Sequence, residues 1–191
     1  MKEIARLVVV LGLICGISGF VLAYVKDLTA EPIEYAKIKN VKEPAVKAVL
    51  SGYDNDPIKD RVSFPVGADK YGRPLSLVVF PAKKGGKTFA VAFEASGKGH
   101  KGPIGVMVGI DVGENKLTGI SVVGHTETPG LGARITETAF TDPFKGQSLE
   151  KDLGKESIQA LSGATLSTVG VLAAVNNARE TLAKHRDKMV N

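Results

Sequence analysis

The chain has 191 residues, of which 43% are hydrophobic, with a formal net charge of +5, a single cysteine and no tryptophan. That length suits one domain of ordinary size plus an appendage, with apolar content ample for a core. Cys15 alone rules out an internal disulfide or an iron–sulfur cluster held by this chain, and the dispersed charge, with no aromatic-interleaved basic patch, argues against nucleic acid.

Leu7 to Val25 carries no charged residue. At about 1.5 Å per residue, a helix of that length spans roughly the hydrocarbon core of a bilayer, so a transmembrane anchor is expected over 1–29. A cleaved signal peptide is the alternative; its apolar region is usually shorter, and no small-x-small site follows Val25, so retention is expected. Gly12, Gly16, Gly19 and Ala23 share one side of this helix, which suits close contact with another membrane helix. Lys2 and Arg6 precede the span while Lys26, Lys37, Lys39 and Lys42 follow it, so positive charge does not set its orientation. These basic residues suit anionic lipid.

A helical linker and loop is expected over 30–70. Pro32 suits a first turn, Ile38, Val41, Ala45 and Val49 share a face, and Pro44 divides the stretch into two helices. Gly52, followed by Asp54, Asn55, Asp56 and Pro57, stops it. The remaining domain, 71–191, opens with β patterning. Leu75, Leu77 and Val79 alternate with Ser76, Val78 and Phe80, then a Gly85-Gly86 turn leads to Phe89, Val91 and Phe93. The form repeats: Ile104, Val106, Val108 and Ile110 share one face, and a Gly113-Glu114-Asn115 turn leads into Leu117 to Val123. The expected class is α+β, an antiparallel sheet of at least four strands flanked by helices.

The last strand runs into His125, and Pro129, Gly130 and Gly132 force the chain to turn. Glycines there allow close backbone contact with a flat ligand, while a plain connecting loop is the other reading. Glu127 suits either a ligand-facing hydrogen bond or a cap on a short helix beginning near Ala133; Phe140 and Phe144 read as core. Further on, Val169, Leu172, Val175, Ala178 and Leu182 form an apolar helical stripe, with Asn177, Arg179, Glu180 and Lys184 toward water. Ser162-Gly163-Ala164-Thr165-Leu166-Ser167 leads into this helix. Small Gly163 and Ala164, the helix N-terminus and the hydroxyls of Ser162, Thr165, Ser167 and Thr168 suit an anion such as phosphate; an ordinary N-cap remains the alternative. His100, His125 and His185 lack metal-ligand spacing, and no Walker or Rossmann glycine pattern follows a strand.

Ser162 to Ser167 resembles the flavinylation motif, Ser/Thr-Gly-Ala-Thr-x-Ser/Thr, of the FMN-binding domain family. His125-Thr126-Glu127-Thr128-Pro129-Gly130-Leu131-Gly132 resembles its second signature, in the expected order, and Gly102-Pro103-Ile104 also looks familial. The resemblance covers roughly the C-terminal half. It implies a phosphoester joining FMN to Thr165, attached by a flavin transferase, with Ser162, Gly163, Ala164, Leu166 and Ser167 around the phosphate. Glu127, Thr128, Gly130, Leu131 and Gly132 would then lie near the isoalloxazine. One departure bears on the transferase: the family commonly places Asp where this chain has Gln159.

The family includes the G subunit of the Rnf ferredoxin:NAD oxidoreductase and the typically longer C subunit of the sodium-pumping NADH:quinone reductase. This chain's length favours the former. The resemblance therefore implies a single-pass protein of the cell (inner) membrane with its domain on the outer face. It would relay electrons among other subunits of an ion-translocating complex, without independent catalysis. A C-type subunit, a free-standing FMN carrier and a non-redox scaffold are the alternatives. A hydrolase using Ser162 or Thr165 with His125 lacks an ordering third group and a Gly-x-Ser-x-Gly elbow.

Overall fold

The computed structural model describes residues 2–68, 72 and 74–190, and the chain divides into two compact units at Val41/Lys42. The first unit is built on helix α1, Lys2–Lys37. Its Lys2–Ala30 part contains an 18-residue window of mean hydropathy 2.5 with no buried residue, and is long and apolar enough to cross a membrane. Expected at the first turn of a new helix, Pro32 instead lies inside α1. The break comes later, where a π-helical turn at Ile38–Lys42 gives way to α2, Glu43–Val49, with Pro44 in its first turn. Pro44 has no amide to offer the turn before it, so the regular helical ladder cannot continue through this position.

Among its described residues the second unit holds five strands: β1 Val62–Ala68, β2 Pro74–Lys84, β3 Lys87–Lys98, β4 Pro103–Asp111 and β5 Lys116–Gly124. They pair in chain order as an antiparallel meander. Gly85 and Gly86 both have positive φ, which the tight β2–β3 hairpin requires of its two central residues. In the β4–β5 turn, Asp111 Oδ1 accepts the amides of Gly113 and Glu114, and Asn115 takes φ 51°.

Side chains alternate across the sheet, so each face meets a helix. On one face Val79, Val91, Phe93, Val106, Val108 and Ile110 pack against helix α4, Thr165–Val190, through Val171, Val175, Ala178 and Leu182. On the other, Phe80, Ala82, Ala90, Ala92 and Met107 pack against Ala45, Val46 and Val49 of α2. The fold is α+β, as the alternation implies. The 30–70 stretch, expected as linker, contributes α2 and β1 to this unit, while the expected boundary at 70/71 lies outside the described residues.

Helix α4 approaches β3 unusually closely. A Cβ on Gly97 would collide with the Gly170 carbonyl and lie 2.7 Å from the Ala174 amide nitrogen, and one on Gly170 would lie 2.9 Å from Gly99 Cα. Absent side chains thus let two backbones touch, and Asn177 Nδ2 donates to Ser96 O at 2.8 Å beside them. Asn176 pins the incoming loop, accepting from the Leu153 amide at 2.9 Å and donating to its carbonyl at 3.1 Å. Phe140 of the short helix α3, Thr138–Thr141, stacks edge-on with Phe144 in the core. Gly97→Ala should lower stability by about 1–3 kcal/mol through overpacking, read as a reduced urea midpoint for the full chain; an unchanged midpoint would mean that α4 moves off β3 freely.

Candidate functional site

Three segments converge at the N-terminal end of α4: the β3–β4 connector (99–102), the loop after β5 (125–132), and residues 161–168. The third begins with a tight turn in which the Ala164 amide donates to Leu161 O at 3.0 Å. Gly163, at its third position, has φ 77°, the left-handed conformation that a type II turn demands there. Buried Thr168 fastens this turn to the helix. Its Oγ accepts the Leu161 amide at 3.2 Å and donates to Ala164 O at 3.3 Å.

Thr165, the first helical residue, is by contrast exposed. The amides of Thr165, Leu166 and Ser167 open the helix and have no intrahelical acceptor, so they concentrate positive partial charge at its end. The hydroxyls of Ser167 and Thr168, expected to face an anion, are instead buried and committed within the protein. The expected apolar stripe is buried at Leu172, Val175, Ala178 and Leu182, and departs from expectation at two positions, Val169 and Arg179. Val169 is half-buried, Val171 is fully buried, and Arg179 is partly buried with its guanidinium 2.6 Å from Asp152.

Ser167 Oγ donates to Glu127 Oε2 at 2.6 Å, and Lys101 N–H donates to Glu127 Oε1 at 3.0 Å. Glu127 is only 5% exposed. Burial pushes its carboxyl up, but hydrogen bonds from Ser167 and from the Lys101 and His100 amides, together with the His100 charge, outweigh this and hold it below the ordinary carboxylate value. Glu127 does not cap the short helix expected near Ala133. A 3₁₀ turn does form there, Gly132–Thr136, entered at Leu131 without a side-chain cap. His125 serves the loop itself, its Nδ1 accepting the Glu127 amide at 3.2 Å.

A cleft of about 330 Å³ lies between these segments. Of the residues singled out in the sequence, Glu127, Thr128, Leu131, Gly132, Gly163, Ala164, Thr165, Leu166 and Ser167 line it. Gly130, with φ 71°, shapes the loop without lining the cleft, and Ser162 faces a separate cleft with Gln159 and Arg134. His100 also lines the first cleft, although nothing in the local sequence marks it: it lies some 25 residues before the signature and arrives through the β3–β4 connection. Leu131 and Leu166, 45% and 57% exposed, give the cleft an apolar surface beside the helix end. The donor set therefore combines an anion-favouring helix start, a reachable hydroxyl and two exposed leucines, which fits a planar ligand carrying a phosphate.

The family described as the FMN-binding domain matches residues 99–180, from the connector through most of α4. The G subunit of the ion-translocating oxidoreductase complex of Stutzerimonas stutzeri is 30% identical, the match covering 95% of this chain and 82% of that one. The G subunit of the proton-translocating ferredoxin:NAD(+) oxidoreductase complex of Clostridium ljungdahlii is also 30% identical, over 87% and 84%. Among solved structures, the C subunit of the Na(+)-translocating NADH-quinone reductase of Parabacteroides distasonis shares the fold, with TM-score 0.50, 20% identity and coverage of 70% and 81%. The chain belongs to the FMN-binding domain family, among the G subunits of ion-translocating oxidoreductase complexes.

Two outcomes follow from this geometry. Gly163→Ala places a side chain at positive φ, with its Cβ 2.9 Å from Leu131 Cδ1; the expected loss is about 1–2 kcal/mol, read in thermal or urea unfolding, and wild-type stability would mean that the turn has another solution. Because the folded Glu127 carboxyl titrates below its unfolded value near 4.5, its stabilisation is complete above that value and lost as pH falls through the lower folded one. Glu127→Gln should therefore flatten the acid limb of the stability–pH curve, and an unaltered limb would assign that loss to other carboxylates.

Proposed function

We propose that Thr165 Oγ carries FMN through a phosphoester and that this chain is a membrane-anchored electron-transfer subunit of an ion-translocating ferredoxin:NAD oxidoreductase complex of the Rnf type. The observation that supports it most is the exposed Thr165 hydroxyl at the start of α4, on the wall of the cleft. The amides of Thr165 to Ser167 and the helix end would hold the phosphate, and the Leu131 and Leu166 side chains offer apolar contact to the ring. Gly163, whose missing Cβ leaves room for the Leu131 side chain, lines the cleft beside Thr165. FMN, when bound, supplies reversible uptake and release of electrons. The protein's part is to fix the group, orient it and set its surroundings.

Helix α1 serves as a single-pass anchor in the cell membrane, with the FMN domain on the outer face, a placement that the family resemblance supports. Covalent attachment suits that compartment, because a reversibly held cofactor would be lost where free FMN is scarce. A flavin transferase attaches FMN, and the electron donor and acceptor are other subunits of the complex. The G-type reading is favoured over the C-type because the matches to G subunits span most of both chains. Intact-mass analysis of protein from a host containing the transferase should find one FMN less one water on the wild type and none on Thr165→Ala. An unmodified wild type, or a Thr165→Ala protein that retains the added mass, would overturn the assignment.

A further inference from the structure

Among the described residues, Glu127 is the one charged side chain in the buried set, and it lies in the wall of the cleft rather than in a remote part of the core. Both carboxylate oxygens are engaged by the protein: Oε1 by the Lys101 amide and Oε2 by the Ser167 hydroxyl. The backbone around Glu127 is shaped to admit it. A Cβ at Gly99 would lie 2.5 Å from Oε1, and one at Gly132 would lie 2.9 Å from Oε2 and 2.8 Å from Ser167 Oγ. Neither glycine has the positive φ that would otherwise call for glycine, so space for the carboxylate is what these positions provide. His100 and Lys101 alongside are exposed and water-screened, whereas the Glu127 charge is not.

We propose that Glu127 is a positioning residue, tying the β3–β4 connector to the first turn of α4 across the cleft, and that its fixed negative charge lowers the reduction potential of the flavin held there. The second half rests on the reading that the cleft holds FMN. Reduction adds electrons, and any negative charge not neutralised by protons, beside a carboxylate that water does not shield. Removing the carboxylate charge relieves that repulsion, so the potential rises.

The test uses the full-length chain with three measurements. Spectroelectrochemical titration of the FMN-loaded protein should give a higher midpoint for Glu127→Gln than for wild type, while Glu127→Asp, which keeps the charge but shortens the reach, stays near wild type. Amide exchange in flavin-free Thr165→Ala protein reads the tie without the cofactor. There, Glu127→Gln and Glu127→Asp should each accelerate exchange at Lys101 by roughly tenfold, the loss expected for a hydrogen bond to a charged group. An unchanged or lower midpoint in flavin-loaded Glu127→Gln, an equal rise in Glu127→Asp, or unaltered exchange at Lys101 would overturn the proposal. Mass analysis of the wild type separates this failure from the other: absence of FMN there sinks the functional reading, while the exchange result still decides whether Glu127 forms the tie.

Discussion

The site depends on one buried carboxylate. Removing the Glu127 charge from water is costly unless donors replace the lost solvation, and the donors come from two places distant in sequence: the Lys101 amide and the Ser167 hydroxyl. The Lys101 amide lies on the connector between two central strands, and the Ser167 hydroxyl on the first turn of α4. Satisfying the carboxylate therefore draws together three segments that no local preference would bring into contact. The sheet makes this possible, because Gly97 and Gly170 let α4 descend onto β3 until its first turn comes level with the connector.

Given that placement, helix geometry sorts the hydroxyls near the start of α4. Thr165 and Thr168 are chemically the same, yet one is exposed at the helix start and the other, three residues on, is buried and bonded to Leu161 and Ala164. Residues three apart on a helix share a face, but at the first turn the preceding backbone covers only part of it. The Leu161–Ala164 turn covers Thr168 and leaves Thr165 open. An exposed hydroxyl beside unused amides is the arrangement that a phosphoester requires, and the buried hydroxyl is what keeps that arrangement rigid.

Much of this was legible in the sequence. Strands β2, β3 and β4 carry unbroken buried stretches because both faces of the sheet are covered, so strand length, β-branched and aromatic content and the Gly85-Gly86 turn marked them more than polar–apolar alternation did. Strand β1 escaped detection because it lies at the sheet edge, where Pro65 needs no ladder partner and a bulge between Pro65 and Gly67 interrupts the period. Pro32 misled because a proline that can start a helix can also be carried inside a long one. The two signature segments did supply most of the cleft wall. What they could not reveal was His100, which arrives through the sheet topology, or the partners of Glu127 and Ser167, whose pairing spans 40 residues of sequence. Ser167 looked like a ligand donor because its neighbours do; its burial depends on how α4 rolls against β3.

The apolar wall of the cleft, its helix end and the exposed Thr165 together make a covalent phosphoester the central claim. It is tested most directly by ³¹P NMR of the purified protein unfolded in urea, where non-covalent interactions no longer hold or perturb the group. A diester to Thr165 has no second ionisation, so the account predicts one protein-bound resonance whose shift is constant through neutral pH. A phosphate monoester titrates near pH ~6; a resonance that moves with that midpoint and passes through a dialysis membrane would mean FMN held reversibly, contradicting the account.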